Sequence, residues 1–227
     1  ETLGEGNYKL PNTTDEMFAL GKELFNHNVY LTTFVGTDTT GGADYLRYCF
    51  EVWFAQMTGM EGYNHYFNCE YNNNGTYEIA TDAPRNIEEN RNAIEKTYAV
   101  AQTLCQGANG VEFVHGKCES LNFIDAQFLL RQGTFRGVAD YPIAFYYNTA
   151  AGEREMAPYI ADGIIPEQDV RMMKMPLISA ITDRTETIND DATLSAVVNY
   201  VDGTLQKAPA GVSEEENEIV REARSMM

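Results

Sequence analysis

No apolar run in this sequence approaches the ~20 residues that a membrane-crossing helix needs. Bases are scarce as well. Sixteen Lys and Arg stand against 34 Asp and Glu, a net charge of −18 with histidine neutral. The bases are scattered, so no local patch offsets that field, and nucleic acid is not expected as a partner. Four cysteines are present, Cys49, Cys69, Cys105 and Cys118. None has C-x-x-C spacing, which argues against zinc ribbons and dithiol redox motifs. Cys105 and Cys118 flank a Gly-rich loop and can meet, whereas Cys49 sits in an apolar segment that suits a buried thiol. The sequence contains no G-x-S-x-G, H-E-x-x-H, P-loop or G-x-G-x-x-G. Its histidines, His27, His65 and His115, fall in separate segments, expected to be exposed at loops or helix ends instead of forming a metal cluster. No catalytic residue, metal or cofactor is expected.

What is present suits a packed domain. Hydrophobic residues make up 44% and aromatics 11% of the 227 residues, too many for a disordered chain. A chain of this length buries about 70% of the surface its unfolded form exposes, so it builds a core without disulfides or metal. No repeat, low-complexity tract or Pro/Ser linker divides it, and residues 1–227 read as a single domain. Glu1 is no initiator and no signal peptide follows it. The chain is expected to be cut from a longer precursor, and to stop short of its natural end at Met227.

Helical periodicity and short β-rich runs alternate, the pattern of an α/β fold rich in helix. A helix is expected from Thr13 or Thr14, as cap, to about residue 27. Residues 29–35 (VYLTTFV) read as a buried strand. A second helix runs from Asp44 to about residue 58, with Leu46, Cys49, Phe50, Trp53 and Met57 on one broad face. Residues 59–75 read as an aromatic, Asn-rich loop that turns at Asn74-Gly75 into a short strand, 76–79. Further helices are expected over 86–106, 121–132 (capped by Ser120 and stopped by Gly133), 152–160, and from Asn189 or Asp190 to 201. A last one follows a Ser213/Glu216 capping box. Strands over 139–147 and 170–175 are expected in or beside one sheet with 29–35.

The acidic pairs Glu153/Glu155, Asp190/Asp191 and Glu214 to Glu216 read as solvated faces or helix caps, since nothing singles out a facing pair of the kind a glycosidase uses. The informative stretch is 45–71. Nine aromatic residues there interleave with Gln56, Asn64, Asn68 and Asn72. Aromatic faces with directional amides suit a sugar, which has apolar C–H faces and a hydroxyl rim. Phe50 and Trp53 share the core stripe, whereas Tyr63, Asn64 and Tyr66 fall in the expected loop.

Several segments together resemble family 1 extracellular solute-binding proteins of sugar ABC transporters, in their Firmicutes form. LPNTTDEMFALGKEL is similar to the P-T-T-x-x-E helix that begins the family's second lobe. YLRYCFEVWFAQMTGMEGYNHYF resembles the aromatic helix and following loop. FIDAQFLLRQGTFRGVADYPIAFYYNTAAGEREM resembles the segment that ends N-G-x-W-x-x-x-E-M, and VRMMKMPLISAITDR and SEEENEIVREARSMM also resemble that lineage. Ala151 stands where the family's sugar-stacking Trp is, so Tyr146, Tyr147 or Trp53 must take over that contact.

The resemblance implies a periplasmic-binding-protein-like (type II) lobe, mainly the second of two. The first lobe, with its lipid-bearing cysteine, and the extreme C-terminus would lie outside these residues. It implies a non-catalytic, extracellular, lipid-anchored saccharide binder that docks on an ABC transporter permease. The ligand contacts it implies here are Asp44, Tyr45, Trp53, Tyr63, Tyr147 and Asn148. The competing expectations are a secreted carbohydrate-active enzyme and a cell-surface interaction domain.

Overall fold

A computed structural model describes residues 9–35, 44–81, 83–147, 151–165 and 171–226, the side chains of residues 44, 45, 89 and 151–153 apart. The fold is α/β and helix-rich. Its helices are α1 (Thr14–Asn26), α2 (Asp44–Phe67), α3 (Glu88–Gln106), α4 (Phe123–Gln132), α5 (Ala151–Ala161), α6 (Asp191–Val201) and α7 (Glu214–Ser225). The strands pair as two antiparallel hairpins, β1 (Glu70–Asn73) with β2 (Thr76–Ile79) and β3 (Thr134–Phe135) with β4 (Val138–Ala139). Among the described residues no helix is long and apolar enough to cross a membrane. The chain forms two compact units.

One unit comprises residues 1–9, 18–49 and 102–173. Its centre is the extended segment after α1. Tyr30 N–H donates to the Pro142 carbonyl (2.9 Å) and Ala144 N–H to the Tyr30 carbonyl (2.9 Å). On the other side Thr32 N–H donates to Phe113 (3.1 Å) and His115 N–H to Thr32 (3.0 Å). The expected strand over 29–35 is therefore extended and paired in parallel, but only through the single bridges Tyr30 to Ile143 and Thr32 to Val114. Pro142 has no N–H to carry the ladder further. The expected strand over 139–147 shrinks to the end of β4 and the bridge at Ile143: Pro142 stops the pairing before that bridge, and after it Thr32 N–H turns to the Phe113 carbonyl and not to Ala144. Leu31, Val35, Phe113, Leu121, Leu129, Ile143 and Met156 are buried around this ribbon. Gly21 lets α1 lie against it, since a side chain there would put its Cβ 2.7 Å from the Phe113 ring. Asn122, not Ser120, caps α4, in a reciprocal box with Asp125; the Ser120 hydroxyl instead donates to the Lys117 carbonyl (2.9 Å). Gly133 ends α4 in the left-handed region (φ 60°).

The other unit comprises residues 10–17, 50–101 and 174–227. Trp53, Leu177, Ile178, Ile181, Ile188, Leu194, Val197, Val198 and Val220 form its core, each at most 1% exposed. The polar head of α1 is knotted into it. Asn12 donates to the Ser195 hydroxyl (3.0 Å), which donates to Glu16 (2.6 Å), and Thr13 and Ser179 both donate to Asp191 (2.8 Å each). The N-T-T-D-E run thus closes on α6. Thr13 also caps α1 through Glu16 N–H (3.2 Å). The expected strand over 170–175 is absent: Val170 lies outside the described residues, and 171–176 have no regular structure. Pairing occurs instead at Leu177, bridged to Thr13. The expected loop over 59–75 is corrected too. Gly59 (φ 72°, ψ 168°) breaks α2, but the chain resumes as helix to Phe67 and then forms the β1–β2 hairpin. Asn74 (φ 52°) and Gly75 (φ 88°) supply its turn, as their order predicts.

Candidate functional site

After the break at Gly59, Met60, Tyr63 and Phe67 follow at helical spacing and share one face of α2. The rings interlock along it. Tyr63 and Phe67 centroids are 4.8 Å apart, Tyr66 and Phe67 5.2 Å, and Phe54 and Tyr66 4.7 Å. Phe50 extends the row to Tyr98 of α3 at 4.8 Å. These separations and tilts suit the ring quadrupoles. Exposure grades across it. Phe54 is buried at 3%, Tyr63 and Tyr66 are half-buried, and Phe67 and Tyr98 are 57% and 61% exposed. The result is an apolar ridge with a buried base and open aromatic faces.

Polar groups border the ridge. The Asn64 and Asn68 amides are exposed on the same helical segment. The hairpin leans on it: His65 stacks on Tyr77 (3.3 Å, 7°) and its Nδ1 meets Glu70 Oε2 at 2.5 Å. An open groove of about 770 Å³ lies between β1 and the start of α3, lined by Asn72, Ile87, Glu88, Arg91, Asn92 and Glu95. Burial and the nearby Glu51 charge push the Tyr63 phenol up, so it stays a hydrogen-bond donor well into alkaline pH. Tyr63, Tyr66 and Phe67 with the Asn64 and Asn68 amides therefore give residues 63–68 apolar faces beside donors and acceptors, as a polyhydroxylated ligand requires.

The sequence-expected contacts scatter. Tyr63 is in the ridge. Trp53 is fully buried, with Nε1–H donating to the Pro176 carbonyl (3.2 Å), and offers no ring face to a ligand. Tyr147 belongs to the other unit. It lies parallel to Phe34 (6.0 Å, 8°), and burial together with its Cys49 neighbour raises its phenol well above the ordinary value. The backbone of Asp44 and Tyr45 opens α2, but their side chains, like all of Asn148, lie outside the described residues. Phe67 is one of the nine aromatics singled out at 45–71 but not among the expected contacts, Tyr98 lies on the helix expected over 86–106, and Met60 is overlooked. A helical reading of 60–67 would have put Met60, Tyr63 and Phe67 on one face.

The other unit has a second groove, of about 690 Å³, lined by residues 130–134, Asp140 and Pro142. His115 lies buried beside Asp140, contrary to its expected exposure. Its Nδ1 accepts the Lys117 N–H (3.2 Å), which fixes the proton on Nε2, 3.6 Å from Asp140 Oδ1. Burial lowers the His115 pKa against the pull of Asp140. Burial also pushes the Asp140 carboxyl up, but the Lys117 ammonium, the Tyr141 N–H and His115 outweigh it and bring it below the usual range. This cluster fastens a loop. The cysteines are free thiols, and among the described residues no group of three His, Cys, Asp or Glu side chains can hold a metal. Of the acidic pairs, Asp190 caps α6, Glu216 completes the Ser213 capping box of α7, and Glu155 accepts from Gln127 Nε2 (3.0 Å); the Glu153 side chain lies outside the described residues. No protein-family model, curated protein or solved structure matches this chain.

Proposed function

We propose that this chain binds a carbohydrate without transforming it, as part of an extracellular solute-binding protein serving a sugar ABC transporter. The fold in this reading is a periplasmic-binding-protein-like (type II) lobe. The observation that carries it is the ridge of Tyr63, Tyr66 and Phe67, open on one side, with the exposed Asn64 and Asn68 amides on the same helical segment. Pyranose rings stack their C–H faces on such rings, while amides and phenols take the hydroxyl rim. The family resemblance adds the rest: a lipid anchor, a permease that receives the loaded protein, and a first lobe that covers the ligand's other face.

Calorimetry against a panel of neutral oligosaccharides tests this. Tyr63→Ala and Phe67→Ala are each expected to weaken binding about tenfold, the loss of roughly 1.4 kcal/mol in stacking and burial. Phe67 is 57% exposed, so its variant is expected to keep a thermal midpoint near wild type, whereas Tyr63→Ala also loses ring contacts to Phe54 and Phe67 and is expected to lower it. Equal binding by both variants would refute the ridge as the site. Release of reducing ends that one Asp or Glu substitution abolishes would refute the non-catalytic reading. A second reading has an observation of its own. Met60, Phe67 and Tyr98 are 49%, 57% and 61% exposed, which also suits a protein partner. Loss of a protein complex in the same variants, with no saccharide bound by the wild type, would decide for it.

A further inference from the structure

The break in α2 has an unusual construction. In an uninterrupted helix the Met60 N–H would donate to the Gln56 carbonyl, four residues back. Both groups are taken up by side chains from other elements. Met60 N–H donates to Glu222 Oε1 of α7 (3.0 Å), and Arg184 Nη1 donates to the Gln56 carbonyl (2.7 Å). Arg184 and Glu222 also pair with each other, Nη2 to Oε2, at 3.7 Å. The ion pair therefore replaces one helical hydrogen bond with two longer-range ones. Insertion of a side chain into the ladder is a recognised cause of helix kinks. Gly59 makes room for it. A Cβ there would lie 3.0 Å from both Arg184 Nη2 and Glu222 Oε2, and its φ of 72° disfavours any other residue. On the near side of the break, the Thr58 hydroxyl donates to the Phe54 carbonyl (3.0 Å).

We propose that Arg184 and Glu222 form a removable bracket that sets the angle of residues 60–67, so that α2 has two states: bracketed and bent, or released and continuous. Three observations support this. Gly59 can adopt helical angles, and Met60 N–H and Gln56 C=O are then each other's natural partners, so release leaves no backbone group unpaired. The bracket side chains are 24% and 40% exposed, so water can take them without opening the core. The aromatic ridge also straddles the break. Phe54 lies before it and Tyr63 and Tyr66 after it, at 6.2 and 4.7 Å from the Phe54 ring. A change of helix angle necessarily respaces those rings. Arg184 and Glu222 are thus positioning residues for the ridge, through which α7 biases the surface. The two-state helix stands on its own geometry; its effect on ligand rests on the carbohydrate reading above.

Hydrogen exchange on the whole chain, with calorimetry against maltohexaose, cellohexaose, xylohexaose and mannohexaose, tests the proposal. Glu222→Ala is expected to change exchange at residues 59–63 about tenfold or more, leaving α1 and α6 as in the wild type. Glu222→Gln keeps the carbonyl acceptor for Met60 N–H and is expected to restore wild-type exchange. Gly59→Ala, which removes room for the bracket while leaving the sequence of α7 unchanged, is expected to slow exchange at Met60 as the helical bond closes. Any hexaose that binds the wild type is expected to bind Glu222→Ala and Gly59→Ala about tenfold more weakly, with Glu222→Gln near wild type. Wild-type exchange at 59–63 in both Glu222→Ala and Gly59→Ala overturns the bracket, as does a Glu222→Gln variant that behaves like Glu222→Ala. If Glu222→Ala loses protection throughout, Gly59→Ala alone decides. Altered exchange with unchanged hexaose binding overturns the positioning role. If no hexaose binds the wild type, the carbohydrate reading and the positioning role fall together, while exchange still decides the two-state helix.

Discussion

Trp53 shows how one residue's chemistry sorts core from site. An indole can stack on a sugar or fill a core, and here its ring is buried with Nε1–H satisfied by the Pro176 carbonyl. Two titrating residues carry a pH dependence of the same sign. His115 is held below its ordinary 6.5 by burial, so the unfolded chain binds the proton better than the fold does. Its contribution is complete above 6.5 and declines as pH falls through that value. Glu216 accepts from the Thr187 hydroxyl (2.6 Å), the Ser213 N–H (2.9 Å) and the Thr187 N–H (2.7 Å). These bonds bring its carboxyl down from 4.5 to about 2, so its contribution is present above 4.5 and is lost as pH falls toward 2. Urea midpoints are therefore expected to drop from pH 7.5 to 5.5, and again to 3.5. Glu216→Gln should flatten the second step and His115→Leu the first. A midpoint unchanged between pH 7.5 and 5.5 would count against the assignment at His115.

Elements here are fixed largely at their ends. α4 begins at Asn122, whose side chain accepts the Asp125 N–H (2.8 Å), and ends at Gly133 in the left-handed region. Asn122→Ala is expected to cost about 1 kcal/mol through loss of the cap. Gly133→Ala should also cost about 1 kcal/mol, because L side chains disfavour that backbone conformation and the added Cβ would sit 3.3 Å from the Asp140 carbonyl. Chemical denaturation of both variants checks this, and a loss below a few tenths in each would refute the end-fixed account. The bent α2 is the contrasting case. Its interruption is imposed by Arg184 and Glu222, distant in sequence, at a glycine that merely permits it.

At the scale of the whole chain, charge is the dominant fact. A net charge of −18 repels itself in the compact state. Among the described residues, ion pairs such as Lys174–Asp202 (2.8 Å) and Lys96–Asp183 (2.9 Å) relieve only part of it. Raising salt from about 10 mM to about 150 mM shortens the screening length from roughly 30 Å to roughly 8 Å. The thermal midpoint is expected to rise by a few degrees over that range. A midpoint that falls would mean that the attractive pairs outweigh the net repulsion.

The sequence by itself determined what local chemistry controls. The Ser213 cap, the stop at Gly133 and the Asn74-Gly75 turn follow from side chains bonding their own neighbours or from glycine's backbone freedom, and two other caps were narrowed to adjacent pairs, Thr13 or Thr14 and Asn189 or Asp190, of which the structure uses Thr13 and Asp190. The helix-rich α/β class follows from periodicity in the same way. Tertiary structure decided three other things. Residues 60–67 were legible as aromatic but not as helical, since glycines and asparagines lower local propensity and packing on Phe54 supplies what they lack. The β-rich runs at 29–35 and 170–175 have the same local character. The first finds parallel partners at Val114 and Ile143, and residues 171–175 of the second find none among the described residues, because parallel pairing depends on what distant chain is brought alongside. Of the candidate site, Tyr63 was readable as a loop aromatic. The exposure of Phe67 and Tyr98, and the burial of Trp53, were not. A single aromatic side chain carries the same signal for core and for surface until its neighbours are fixed in space.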